Sequence, residues 1–320
     1  MTAESVPIPR RPLPGTELTL SEIALEVVPP AFVSPAGEER TIALLRRARA
    51  AGVTAFEIPD GATGRHAERL FTRAFDRSDS SPLAILRRSP ASLESALGTA
   101  SKGDSAAVRL RSSLRDVRRR LGTSTELMVH WADEPAVAYA VPELPDELDR
   151  AQAEGDIDGW VRALGSTNPE AVPSWKDPSP RSFSGAVSLL DTRLVPSIEA
   201  RASRSPTGFL ALDPLASGRL DGSRFARTVA DRRPDDGPVT VRELRKEFDP
   251  VLRLGFLTTG KQRTLAQASI RFVLDVPGVS AVLLPLPSPE RFDELIRSGT
   301  TPSLTDRERD LLGAQLTGPR

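Results

Sequence analysis

Two periods alternate along this chain. Between Ala106 and Leu121 the apolar residues Leu110, Leu114, Val117 and Leu121 recur at helical spacing, with Arg109, Arg111, Arg115, Arg118, Arg119 and Arg120 between them. The pattern predicts a helix with one buried stripe. Its arginines read as a solvated face in preference to an anion site. A second helix presents Ile42, Leu44, Leu45 and Ala48, and a third is predicted from Thr264 to Leu274, ahead of a Pro277-Gly278 turn. Between such helices lie short apolar runs that end on a polar, charged or turn residue: Gly52 to Glu57, Leu83 to Arg87, Glu126 to His130, Phe209 to Asp213 and Val279 to Pro285. That is the form of a buried parallel strand delivering a side chain at its C-terminal end.

Strand and helix alternating through the full length imply a parallel sheet. About eight such units in 320 residues favour an α/β fold of the (β/α)8 TIM barrel type, in a single domain spanning 1–320 with 1–20 as an N-terminal tail or hairpin. An open doubly wound sheet is disfavoured by the lack of a G-x-G-x-x-G fingerprint after the first strand, and no Walker loop is present. Segments 173–180 and 227–239, rich in Pro, Asp and Arg, read as long surface loops over the barrel mouth.

Composition narrows the chemistry. The 43 basic and 43 acidic residues balance, so no global field draws the chain to nucleic acid or an anionic membrane, and small molecules become the expected partners. The chain has no cysteine and only two histidines, His66 and His130. Disulfides, thiolate metal sites, a cysteine nucleophile and a histidine-rich metal site are thereby excluded, and no metal is expected. No secretory signal and no run near the roughly twenty apolar residues of a spanning helix is visible, so a cytoplasmic protein is expected.

In order and spacing, several segments resemble the aldo-keto reductases over nearly the whole chain. Leu13-Pro14-Gly15-Thr16-Glu17-Leu18-Thr19-Leu20-Ser21 looks like that family's N-terminal hairpin. Arg120-Leu121-Gly122-Thr123 followed by Leu127 to His130 is similar to its helix-three to strand-four signature, and Pro214-Leu215-Ala216-Ser217-Gly218-Arg219-Leu220-Asp221-Gly222 to its seventh-strand motif. Thr264-Leu265-Ala266-Gln267-Ala268 through Pro277-Gly278-Val279, with Pro289-Glu290-Arg291, resembles its last strand and cofactor-side helix.

The resemblance implies a site made of a tyrosine acid, a lysine, an aspartate paired with that lysine, and a histidine. In the family's second-strand pattern, D-T-A-x-x-Y-G with a glutamate further on, the stretch from Gly52 through Glu57 to Glu68 keeps the register. That register puts Glu57 at the aspartate position and Ala62 at the tyrosine position. The lysine position falls on Arg87, or on Arg88 after a slip of one, and His130 matches the family residue. Ala62 has no proton to give to an alkoxide, although a positioned donor typically contributes 10²- to 10⁴-fold. Arginine is a planar, bulkier and permanently charged substitute for lysine. NADPH is the cofactor that the resemblance implies, yet its carboxamide clamp falls on Ala163 and Leu164, its glutamine and stacking ring on Ser184 and Val187, and its eighth-strand P-G step on Pro285-Leu286. Ser288 and Arg291 remain as contacts for a 2′-phosphate, so the sequence commits to no cofactor and leaves NADPH open.

The catalytic candidates are therefore His130, Glu57 and Arg87, with Glu57 as base and His130 as acid or electrophile if Arg87 does not hold Glu57 permanently ionised. Trp131 reads equally as a wall of the same pocket or as a packing residue, with Ala62 beside it and His66 in the loop before a helix. Asp60 reads as a cap or turn residue, and Tyr139, the only tyrosine, as part of a helix start. Three readings stay open: a barrel enzyme performing non-redox acid-base chemistry on a small carbonyl-type metabolite (isomerisation, elimination or cyclisation), a divergent NADPH-dependent reductase, and a noncatalytic barrel that binds a ligand or partner.

Overall fold

Eight parallel strands close into a barrel in the computed structural model of the chain, which describes residues 7–30, 32–75, 82–89, 105–122, 124–132, 144–164, 181–225, 240–261 and 263–317. Ahead of the barrel, β1 (Arg10–Pro12) and β2 (Thr19–Ser21) pair antiparallel. The barrel strands are β3 (Ile23–Glu26), β4 (Ala55–Ile58), β5 (Leu83–Arg88), β6 (Leu127–Trp131), β7 (Gly159–Ala163), β8 (Ser182–Ala186), β9 (Gly208–Leu212) and β10 (Val279–Pro285), with β10 closing onto β3. Around them lie α1 (Pro35–Ala50), α2 (Gly64–Ala74), α3 (Ala106–Leu121), α4 (Leu144–Ala153), α5 (Val195–Ala202), α6 (Val241–Leu252), α7 (Leu265–Leu274), α8 (Phe292–Ile296) and α9 (Asp306–Thr317). This is the expected (β/α)8 architecture.

Local chemistry sets several helix starts. Ser34 accepts the Gly37 N–H at the head of α1, with Pro35 in its first turn, and Thr264 forms a capping box with Gln267 at the head of α7. The arginines of α3 are not simply solvated: Arg111 pairs with Glu147 at 2.7 Å, Arg115 with Asp156 at 3.0 Å and Arg118 with Asp158 at 2.9 Å, and Arg120 pairs with Glu68. They tie α3 to the elements on either side of it.

Strand alternation divides the apolar residues into two layers. Phe56, Leu86, Val129, Trp131, Phe183, Phe209 and Val282 face outward into the layer beneath the helices. Ala24, Ala55, Ile85, Met128, Val161, Leu210 and Ala281 face inward, joined from below by Leu13, Leu18 and Leu20 of the N-terminal hairpin. Gly159 makes room for this plug, because a Cβ there would stand 2.5 Å from Cγ2 of Thr16. No helix among the described residues is long and apolar enough to cross a membrane.

Glu308, in the first turn of α9, couples that helix to the rest of the fold. Burial raises its carboxyl, but hydrogen bonds from Lys261, the Thr305 N–H and Arg263 outweigh burial and hold it at about 2. A carboxylate with a depressed native pKa contributes stability above its unfolded value that is lost as the pH falls through the native one. Glu308→Gln is therefore expected to flatten the loss of melting temperature between about pH 5 and pH 2. An acid limb as steep as wild type would rule this out.

Candidate functional site

One layer above the apolar interior the inward positions turn polar. Two residues beyond Ala24, Ala55, Ile85 and Met128, and so on the same face, stand Glu26, Glu57, Arg87 and His130. Ser184 follows from β8. Cross-strand register sets Glu26 against Glu57 and Arg87 against His130, so five side chains from neighbouring strand ends meet at the C-terminal face.

The centre is a continuous chain of hydrogen bonds from Arg87 to Ser184. Glu57 is fully buried, with one carboxylate oxygen 2.5 Å from Nη2 of Arg87 and the other 2.5 Å from Nδ1 of His130. Nε2 of His130 lies 2.8 Å from the Ser184 hydroxyl. The ring thus bridges the Glu57 carboxylate and the Ser184 hydroxyl, one nitrogen to each. Arg87 turns inward to Glu57, whereas Arg88 turns the other way, donates to the Arg87 carbonyl at 2.7 Å and lies 3.9 Å from Asp60. Burial pushes the Arg88 guanidinium below its ordinary value.

This geometry changes the roles expected of Glu57 and His130. Both carboxylate oxygens of Glu57 and both ring nitrogens of His130 already have partners, and neither residue lines the cavity at the mouth. That cavity, about 330 Å³, is walled by Glu26, Arg87, Leu212, Asp213, Leu283 and Pro285 among others. Arg87 therefore faces two ways, toward Glu57 and toward the opening, with a third of its side chain exposed.

Of the two barrel carboxylates, Glu26, absent from the candidates that the sequence offers, is the one that reaches the cavity. Its closest cation is Nη2 of Arg87, at 3.9 Å. Burial pushes the Glu26 carboxyl up, Arg87 pulls it down, Glu57 pushes up and His130 pulls down, and the outcome is a raised pKa. A signal existed in the sequence: Ile23-Ala24-Leu25-Glu26 is one more apolar run ending on a charged residue, shortened by the hairpin before it.

Other candidates lie elsewhere. Trp131 follows His130 and so points outward; it is buried between strand and helices and does not wall the cavity. His66 is in the first turn of α2, not in a loop, and its Nε2 is 2.9 Å from Glu38, which Arg73 also binds. The hydrogen bond from His66 is the main reason the Glu38 carboxyl sits below its ordinary value. His66 thus joins α1 to α2. Ala62 lies in a single 3-10 turn, Gly61–Thr63, whose first N–H is capped by Asp60 at 2.9 Å. Tyr139 and the loops 173–180 and 227–239 lie outside the described residues. No group of three or more His, Cys, Asp or Glu that could hold a metal occurs among the described residues.

The positions that would hold a nicotinamide dinucleotide do not fit it. Ala163 and Leu164 have no polar side-chain atom to clamp a carboxamide, the Ser184 hydroxyl is engaged by His130, and Val187 is buried in the outer core. The Leu286 N–H donates to the Glu26 carbonyl at 3.1 Å. In the loop after β9, Asp213, Ala216 and Ser217 adopt φ of 50°, 51° and 57°, a left-handed conformation costly for residues other than glycine. There the Ser217 N–H and hydroxyl bind the Asp213 carboxylate at 2.5 and 3.0 Å, and the Ser223 N–H and hydroxyl bind Asp221 at 3.0 and 2.8 Å. Donors that would suit a phosphate are occupied by the chain's own carboxylates. Arg291 donates to the Asp221 carbonyl at 2.9 Å and pairs with Glu294 at 2.8 Å, while Ser288 is exposed and hydrogen-bonds Glu290, whose carboxyl it holds down.

Solved structures with the same arrangement of strands and helices are aldo-keto reductases. An aldo-keto reductase of Bacillus halodurans in its holo form superposes with a TM-score of 0.67 at 14% identity, over 96% of each chain. The glycerol dehydrogenase of Gluconobacter oxydans gives a TM-score of 0.70 at 18% identity, over 96% of this chain and 94% of that one. This chain has the aldo-keto reductase fold. A thermostable aldo-keto reductase solved with the inhibitor epalrestat agrees, with a TM-score of 0.64 and 17% identity over 96% of this chain and 99% of that one. No family model matches the sequence, and neither does any curated protein. At such identities the likeness is one of fold, and the chemistry rests on the residues in the barrel mouth.

Proposed function

We propose that this aldo-keto-reductase-like barrel is an enzyme that moves a proton next to the carbonyl of a small metabolite, without hydride transfer. The observation that carries this reading is Arg87, whose charge is balanced by the sealed Glu57 while a third of its side chain is open to a cavity of about 330 Å³. A guanidinium held in place in this way suits the negative oxygen of an enolate, and preorganised donors aimed at developing charge are usually the largest catalytic term. The cavity is at the small end of ligand pockets, which span roughly 300–1,000 Å³. It matches a compact substrate better than a dinucleotide.

A second reading, a divergent NADPH-dependent reductase, is favoured by the fold likeness alone, and two measurements separate them. In D2O without nicotinamide, a panel of small hydroxyketones and hydroxyaldehydes is expected to exchange carbon-bound protons next to the carbonyl, read by proton NMR. In the second, millimolar NADPH is expected to leave the melting temperature unchanged, where a ligand at a hundred times its Kd would add about 2.7 kcal/mol. NADPH-dependent carbonyl reduction, or a clear melting shift with no proton exchange, would establish the reductase reading instead. Neither exchange nor a shift would point to a noncatalytic binder.

A further inference from the structure

We propose that Glu26 is the catalytic base of this site, taking the proton from the carbon beside a bound carbonyl while Arg87 holds the oxygen. The assignment rests on the acid-base reading above and names the residue that performs it. Two carboxylates stand side by side at the ends of β3 and β4, and the fold treats them oppositely. Glu57 is sealed, with both oxygens engaged. Glu26 lines the cavity with about a quarter of its side chain exposed (26%), and among the described residues its carboxylate accepts no hydrogen bond. A base must reach its substrate with a free lone pair, and of these two only Glu26 does.

The charges around Glu26 suit it to that task. Glu57 from β4, Arg87 from β5 and His130 from β6 face it from the barrel, and Asp213 and Asp221 line the same cavity from the loop after β9. Burial and the nearby carboxylate raise its proton affinity, and Arg87 keeps the increase in check. A carboxylate whose proton affinity is raised binds an abstracted proton more firmly than an ordinary one. In the step itself an oxygen of Glu26 bonds to the hydrogen of the C–H group beside the carbonyl. The C–H electron pair becomes the enolate C=C bond, and the carbonyl π pair moves onto oxygen against the Arg87 guanidinium. The Glu26 carboxylic acid then returns the proton to the same carbon. Alternatively, in a hydroxycarbonyl, after the hydroxyl proton on that carbon has passed to the enolate oxygen, it returns the proton to the former carbonyl carbon. The C=C pair takes up that proton while the electron pair of the new oxyanion forms the new C=O. The second course interconverts ketose and aldose forms with atoms and charge conserved.

The test uses the full chain, with dihydroxyacetone and glyceraldehyde as probes in D2O. Glu26→Gln, which keeps size and removes the lone base, is expected to lower kcat for exchange by about 10²- to 10⁴-fold with KM changed little. Glu26→Asp is expected to recover part of the loss. In wild type the acid limb of the pH profile is expected to follow the Glu26 carboxyl midpoint, read by carbon-13 NMR against the Gln variant, above the ordinary carboxylate range. Exchange in wild type that survives in Glu26→Gln, or a Glu26 midpoint at or below the ordinary range, overturns the Glu26 assignment and leaves the acid-base reading standing. Wild type that exchanges neither probe overturns both.

Discussion

Replacing Arg87 with leucine is expected to destabilise the protein by about 3–5 kcal/mol at neutral pH, because it leaves the Glu57 carboxylate buried without its cation. Glu57 is fully buried, and after the substitution its remaining partner is His130, itself almost fully buried (2% exposed). A sealed carboxylate without a counter-charge is easier to keep neutral than ionised, so folding of the variant is penalised more as the pH rises. Urea midpoints at pH 5 and pH 8 should therefore differ more for Arg87→Leu than for wild type, with the deficit larger at pH 8. The double variant Glu57→Gln with Arg87→Leu removes the uncompensated charge and keeps an acceptor for His130, so it should recover most of the loss. A single variant within about 1 kcal/mol of wild type at both pH values would mean that the pair holds little of the barrel together.

Arg87→Lys tests the same residue as part of the reaction. Lysine keeps the charge beside Glu57, but its ammonium is a compact point charge, whereas the guanidinium presents a planar fork that can satisfy Glu57 on one edge and a substrate oxygen on another. Losing a donor to a developing oxyanion typically costs about 10²–10³ in kcat. In the deuterium exchange assay Arg87→Lys is expected to fall by that factor, with KM changed much less and the melting temperature close to wild type. Turnover within a few-fold of wild type would show that positive charge alone suffices and that the fork is not used.

The fold was legible because its signals are local and repeated. Each strand carries its own apolar run and each helix its own stripe, so the run from Val279 to Pro285 and the stripe from Leu110 to Leu121 were readable one at a time. The site was legible only in part. Glu57, Arg87 and His130 stand at strand ends, and the sequence places them together at one face, where they are found. Trp131 takes the packing role because adjacent residues in a strand point to opposite faces, and His66 belongs to α2 because that helix starts earlier than the Gly-rich approach suggests.

The amino-acid order by itself determines that this chain makes alternating strands and helices and which strand ends are polar. Tertiary structure alone decides which polar residue meets the cavity at the barrel mouth. Pairing of β3 with β4 sets Glu26 against Glu57, closure of β10 onto β3 sets Pro285 against Glu26, and the chain's own Asp213 and Asp221 take up the loop donors above. The strand contacts join residues far apart in sequence, such as Glu57 with Arg87 and His130, and no local period encodes which of two neighbouring carboxylates is sealed and which is left facing the cavity.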